Sequence, residues 1–466
     1  MPPPSDRLSQ TPADRFIRAL VRTVLRAFFR EVEVVGAQRL PIDRPLVLVA
    51  NHINSLVDPI LVLGPLPVTP RFLATSQLWK NPILRFFLGL AQVIPVYRKQ
   101  DDGGDTSRNA ETFARCHEVL RDGGVIALFP EGISHNHPGL QPLKTGAARI
   151  VLEAEEKFPG LGVRIVPVGL FFDARGRFRS RALVEVGEPL DPAPELAVYK
   201  NDAPGAVRAL TARIDEALQD VTVNYATWED ARLVARAADL WAQVRSREPG
   251  EVDLARTAML ERAFREGYEA LRSRHPEQVE EVAEAVREYD RILRWFRLRD
   301  AQVASDYEPP RVALFVGLTL FHLLIHLPLA AVGTVLNWTT YRLVGFLANR
   351  IARFPDQVAT WKVFVGLFLF PLTWIAEAVA AVRLLGDRMP PWLAVLLTLA
   401  AGPLTGWAMV RFDERRRLFQ REARAWFLLT WRRNLSAELR GRRQRVLRGM
   451  QVLAEVYRAG EGELRA

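Results

Sequence analysis

His52 and Asp58 are separated by five residues and follow the apolar run Pro45-Leu46-Val47-Leu48-Val49-Ala50. That run has the length and Leu/Val content of a buried strand, which predicts that His52 stands at a strand exit. The chain turns at Asn51-His52 and re-enters an apolar segment, Ile60 to Leu63, expected to belong to a short helix. Imidazole changes charge near neutral pH, and a carboxylate on its other ring nitrogen fixes the tautomer and steadies the imidazolium. The pair is therefore a candidate general base with its orienting partner. The same pattern also fits a loop histidine held by one hydrogen bond, so the pair alone does not decide.

Other apolar segments also end in polar residues. Val93-Ile94-Pro95-Val96-Tyr97 leads to Arg98, and Val125 to Phe129 delivers Pro130-Glu131-Gly132-Ile133-Ser134. A fourth strand is expected over Val163 to Gly169, after a helical stretch from Thr145 to Glu156. Ligands of open α/β sheets collect outside the carboxyl ends of strands, so these polar ends can share one crevice. Lys144-Thr145-Gly146 opens a helix, and a helix N-terminus beside a lysine suits a phosphate group. Lys144 and Arg98 are thus candidate phosphate clamps. His135 and His137 raise the idea of zinc with His52, but neither cysteine nor a clear fourth carboxylate ligand accompanies them. No metal is expected, and the two histidines are read as loop residues near an anionic substrate.

Taken in order, NHINSLVDP, IPVYR, FPEGIS and IVPVG resemble the four blocks of the glycerophospholipid acyltransferases, the lysophosphatidate acyltransferase-like superfamily. The resemblance covers roughly residues 30 to 190. The usual signature of that family is His-x4-Asp, whereas His52 and Asp58 here have one residue more between them. This looks like a subgroup of glycerol-3-phosphate or lysophosphatidate acyltransferases with an insertion in the turn, and the His–Asp contact survives if the extra residue bulges out. The resemblance implies an α/β acyltransferase domain, a mixed sheet flanked by helices, that moves an acyl group from acyl-CoA or acyl carrier protein to a glycerol phosphate hydroxyl. It implies His52 as base, Asp58 as its partner, and Glu131, Gly132 and Ser134 in the acceptor pocket, with the phosphate lying toward Arg98 and Lys144. The thioester donor is a co-substrate, and no cofactor is expected. The acceptor, glycerol 3-phosphate or 1-acylglycerol 3-phosphate, is not encoded in any residue that can be read. A membrane scaffold on a degenerate acyltransferase fold is the non-enzymatic alternative. A thioesterase fits less well, because nothing resembles an activated serine or cysteine.

The chain has 466 residues, 49% of them hydrophobic, and a net charge of +10. The basic balance points to an anionic partner. No nucleic-acid fold signature is visible, and basic and apolar residues interleave at helical spacing, which favours a phospholipid bilayer over nucleic acid. Only six of the cations are lysines, a skew that base composition of the genome explains. One cysteine, Cys116, rules out an intramolecular disulfide.

Five regions are expected. Residues 1–13 carry no apolar core of a signal peptide, and from Asp14 a helix repeats arginine at 15, 18, 22, 26 and 30, so residues 1–35 read as an interfacial amphipathic helix or as one packed on the domain. The acyltransferase domain takes residues 36–200, with segments Leu170 to Asp173 and Arg181 to Gly187 closing the sheet and a substrate-covering loop over residues 99–107. An Ala-, Arg- and Glu-rich helical insert occupies 201–310. Residues 311–411 form the membrane region, with candidate transmembrane helices at Val312 to Leu336, Val363 to Val382 and Pro390 to Val410. A basic amphipathic tail covers 412–466. An integral membrane protein with its catalytic domain on the cytoplasmic face would place the basic tail there too. That needs an even number of crossings, so one candidate should be re-entrant or a weak fourth should lie near Tyr341 to Ile351.

Overall fold

The computed structural model describes residues 11–98, 108–245, 253–305, 307–386 and 388–465, so the expected loop at 99–107 and most of the stretch 1–13 lie outside the described residues. The chain forms two compact units: residues 1–228 with 254–258 and 354–360, and residues 229–253 with 259–353 and 361–466. The boundaries expected at 35/36 and 200/201 both fall inside the first unit.

That unit begins with α1 (Pro12–Phe28), opened by a capping box in which Thr11 and Asp14 exchange hydrogen bonds and Pro12 takes the first turn. Ile17, Val21, Leu25 and Phe28 recur at helical spacing and are buried. The arginine series is not one solvent- or lipid-facing stripe. Arg18 is buried and donates to the carbonyls of Leu66 and Val68, and Arg22 donates to that of Gly64. Asp14 pairs with Arg71, which pins the start of the helix to the domain.

The sheet follows: β1 (Glu31–Val35), β2 (Leu46–Ala50), β3 (Arg71–Thr75), β4 (Ile94–Val96), β5 (Val125–Leu128), β6 (Arg164–Phe172) and β7 (Arg181–Val186). Helices α2 (Val57–Leu63), α3 (Pro82–Leu90), α4 (Asn109–Arg121), α5 (Gly146–Lys157), α6 (Ala193–Tyr199) and α7 (Ala203–Val221) flank it. Strand order is β1-β7-β6-β2-β5-β3-β4, parallel at every pairing but β6–β7, which is antiparallel. The central β2 and β5 are buried along their whole length, as covered parallel strands must be. Residues 164–172 are one strand, not two separated at Gly169. Cys116 on α4 is fully buried, and burial pushes its thiol up to about 12.

The second unit contains α8 (Trp228–Arg245) and α9 (Leu254–Arg274) but for their first residues, α10 (Pro276–Phe296), α11 (Asp300–Ala304), α12 (Pro309–Ile351), α13 (Val358–Leu385) but for its first turn, α14 (Pro391–Trp431) and α15 (Arg433–Arg465). Leu240, Val286, Tyr289, Leu293, Leu429 and Val446 share its core. Buried Asp300 is held there by the hydroxyl of Tyr289 and the guanidinium of Arg443.

Three helices, α12, α13 and α14, are long and apolar enough to cross a membrane. Tyr341–Ile351, offered as a fourth span, is the last part of α12, and the basic stretch from Arg411 continues α14. Their outer faces carry Leu324, Val335, Leu384 and Trp392 in the open, the pattern of lipid-facing helix. The inner contacts use small and amide residues. A Cβ on Gly333 would lie 2.1 Å from the carbonyl oxygen of Thr405, so only glycine lets α12 and α14 approach this closely. Asn337 donates to the carbonyls of Gly333 and Gly402 and accepts the indole N–H of Trp374, which ties all three helices.

Candidate active site

Strand β2 ends at Ala50, and the turn that follows projects His52 beyond the sheet while α2 begins at Val57. Asp58, in the first turn of α2, is fully buried. Its Oδ2 lies 2.9 Å from His52 Nδ1 and accepts the backbone N–H groups of Ile53 and Asn54 at 2.8 and 2.7 Å. The carboxylate therefore fixes both the imidazole and the backbone of the turn. With Nδ1–H donated to Asp58, the lone pair sits on Nε2, for which no protein partner exists among the described residues. The His52 ring stacks on Phe129 with centroids 4.1 Å apart, which sets its plane, and its side chain is 18% exposed. Within the turn, Ser55 takes φ of 49°. A left-handed L-residue costs roughly 1–2 kcal/mol, so the turn must be held by its surroundings.

The FPEG turn after β5 meets the His52 turn directly. Glu131 is buried, with Oε1 accepting the N–H of His52 at 2.7 Å and Oε2 accepting the N–H of Gln141 at 2.8 Å and the Nε2–H of His135. His135 Nδ1 accepts the N–H of His137, and the His135 N–H reaches the carbonyl of His52 at 3.2 Å. Glu131 is thus turned inward, with its carboxylate engaged by three donors of the surrounding turns. Ser134 is likewise engaged, accepting from the N–H of Ser55 and donating to Asp356. No cluster of three metal-ligating side chains exists among the described residues.

The two expected cations do converge. Arg98 Nη1 donates to the carbonyl of Gly132 at 2.9 Å, and a Cβ on Gly132 would lie 3.4 Å from Lys144 Cγ. Gly132 has φ of 76°, a conformation that glycine adopts freely, and its N–H closes a turn onto the carbonyl of Phe129. Lys144 is exposed just before α5, with its N–H bonded to the carbonyl of Pro130.

Arg175, in the turn from β6 to β7, was not legible from sequence. Its carbonyl accepts from the Asn54 side chain at 3.3 Å, and its guanidinium lies over Trp228 and reaches Asn136 at 3.4 Å. Burial pushes that guanidinium below its usual pKa, against the pull of Asp58 and Asp356. The guanidinium thus has no carboxylate in ion-pair contact among the described residues, and Asp58 and Asp356 act on it only at longer range. Its signal was drowned by the arginine-rich composition.

The acyltransferase family model matches residues 31–170, which hold both turns, and a model described as the glycerol-3-phosphate acyltransferase 2 C-terminal domain matches residues 243–457. The chain thus carries an acyltransferase-family domain followed by a glycerol-3-phosphate acyltransferase 2 C-terminal domain. Among curated members, it is 26% identical over 475 aligned residues to glycerol-3-phosphate O-acyltransferase 1 of Saccharomyces cerevisiae, covering 80% of this chain and 61% of that protein. It is 30% identical to an uncharacterized acyltransferase of Schizosaccharomyces pombe, covering 74% of this chain and 65% of that one. A chloroplastic 1-acyl-sn-glycerol-3-phosphate acyltransferase of Brassica napus is 28% identical over 33% of this chain and 41% of its own length. The chain thus spans less than two thirds of the length of these relatives. The C-terminal match also joins what reads in sequence as insert, membrane region and tail into one family domain.

Proposed function

We propose that the chain is a membrane-bound O-acyltransferase that moves a fatty acyl group from a thioester to a hydroxyl of glycerol 3-phosphate or 1-acylglycerol 3-phosphate. The observation that carries this reading is the His52 Nδ1 to Asp58 Oδ2 contact at 2.9 Å, which leaves Nε2 as the basic nitrogen. Nε2 takes the hydroxyl proton while the acceptor oxygen forms a bond to the thioester carbonyl carbon. The carbon–sulfur bond then breaks, and the thiol leaves with the proton returned from His52. The thioester is already activated, so no covalent enzyme intermediate is required. Asp58 keeps the tautomer and stabilises the transient imidazolium. Arg98 and Lys144 offer the acceptor phosphate two cations next to the Gly132 turn. Acyl-CoA and acyl carrier protein both fit as donors.

Both matched domains support this reading, as do relatives named for glycerol-3-phosphate and 1-acylglycerol-3-phosphate acyl transfer. The net charge of +10 suits an anionic lipid surface. In this reading the catalytic unit faces the cytoplasm with the basic stretch from Arg411, so two of the three apolar helices cross and one is re-entrant or interfacial.

The test is an assay on membranes carrying the wild type or His52→Ala, with labelled acyl-CoA and each acceptor offered separately. Activity that disappears in the variant, with one acceptor consumed, supports the reading and names the step. Equal turnover in both proteins, also with an acyl-carrier-protein donor, sinks it.

A further inference from the structure

Between α12 and α13 lies a short 3-10 turn, Pro355–Gln357, and this turn together with the first turn of α13, residues 354–360, packs as part of the catalytic unit, whereas α12 and the rest of α13 lie in the other unit. Three hydrogen bonds, two of them in series through Ser134, attach this segment to the catalytic turn. Ser134 Oγ donates to Asp356 Oδ2 at 2.7 Å and accepts the N–H of Ser55 at 3.0 Å. Thr360 Oγ1 accepts the N–H of Leu56 at 3.1 Å. Asp356 and Thr360 are both buried, and Val358 lies against Gly176, next to Arg175. Ser55 and Leu56 are two of the five residues separating His52 from Asp58, and Ser55 is the one in the left-handed conformation. Such a conformation persists where neighbouring groups over-determine it. Here those neighbours come from Ser134 and from a segment some three hundred residues downstream.

The geometry assigns Asp356 and Thr360 as positioning residues that hold the turn carrying His52 and Asp58 in register, so that this segment completes the catalytic turn. The assignment rests on the acyl-transfer reading above. Neither residue touches the reacting atoms. Thr360 accepts the Leu56 N–H directly and Asp356 orients the Ser134 hydroxyl that accepts the Ser55 N–H, and displacement of the imidazole by even 1 Å lowers turnover without a matching change in substrate binding. Ser134 belongs to the same relay: it transmits the Asp356 contact to Ser55.

The experiment uses the full chain in membranes and compares Thr360→Val, Thr360→Ser, Asp356→Ala and Ser134→Ala with wild type and His52→Ala. Thr360→Val and Asp356→Ala are expected to lower kcat by roughly 10- to 100-fold with KM for both substrates changed less than about twofold. Thr360→Ser, which keeps the accepting oxygen, is expected to restore most of the loss. Ser134→Ala combined with Asp356→Ala should cost no more than the larger single effect, because both cut one relay. Thermal midpoints separate a folding defect from a positioning one, and if Thr360→Val fails to fold, the serine and aspartate variants carry the comparison. The inference is overturned if His52→Ala is inactive while Thr360→Val and Asp356→Ala keep wild-type kcat, or if they change only KM or only the midpoint. If His52→Ala itself stays active, the acyl-transfer mechanism falls first and this inference with it.

Discussion

The carboxylate of Glu131 accepts the backbone N–H of His52 at 2.7 Å, so two turns seventy-nine residues apart in sequence are fastened at the atom where the catalytic side chain leaves the backbone. The contact explains why an acidic residue stands in a region that otherwise gathers cations: its charge is consumed by three inward donors. Glu131→Gln keeps one accepting oxygen and turns an amide toward the remaining donors. Each buried donor left unmet costs about 1–3 kcal/mol. The expected result is a lowered thermal midpoint with KM for the acceptor little changed. A large rise in acceptor KM at unchanged stability would instead put the carboxylate on the substrate.

Loss of the base should remove most turnover. His52→Ala is expected to lower kcat on the order of 10²–10⁴-fold, within the range of general-base catalysis. Asp58→Ala should reach a comparable loss and also lower stability, because the N–H groups of Ile53 and Asn54 lose their acceptor with it. Steady-state kinetics beside denaturation midpoints checks both.

The Arg175 guanidinium lies over Trp228 and is attracted by the charges of Asp58 and Asp356. Arg175→Gln removes the cation while keeping a polar side chain, and a fall in kcat of roughly tenfold is expected as the His52–Asp58 pair loses a stabilising charge. Arg98→Gln should act chiefly on KM for the phosphate-bearing acceptor. Parallel kinetics on the two variants measures the split.

The N-terminal helix supplies a pH test. Burial favours the neutral form of Asp14, but hydrogen bonds from Arg71 and Thr11 outweigh it and hold the carboxyl below its ordinary 3.8. Because the folded value is depressed, the stabilisation is fully present above the unfolded value and is lost as pH falls through the folded one. Asp14→Asn should therefore be less stable than wild type near neutrality, with the difference shrinking below about pH 4. Denaturant midpoints across pH 3–7 read this directly.

Much of the catalytic unit is legible in the sequence because its central strands are covered on both sides. β2 and β5 are continuous apolar runs, and their polar exits mark the two turns that meet. Gly169 reads as a terminator, yet β6 passes straight through it; an added Cβ there would lie 1.8 Å from the carbonyl oxygen of Val221, so the glycine serves the close approach of α7. The same local reading cannot orient Glu131, since burial of a carboxylate depends on donors supplied by His52, His135 and Gln141. Asp356 and Thr360 were beyond reach for a different reason. They occupy the short turn before α13 and the first turn of that helix, where composition signals only a boundary. In the second unit, hydropathy located three apolar helices but ended the first at Leu336, because nothing in an apolar count distinguishes lipid-exposed turns from the continuing helix to Ile351.

Cys116 is the chain's one cysteine and is fully enclosed in α4, with a thiol that burial keeps protonated. Thiolate is the reactive form, so the native protein is silent toward maleimides and needs no cysteine-free background. Single cysteines introduced at Arg353 and Arg388 can therefore be labelled one at a time from either face of a sealed vesicle. Those two labels map which ends of the apolar helices share a compartment with the catalytic turn.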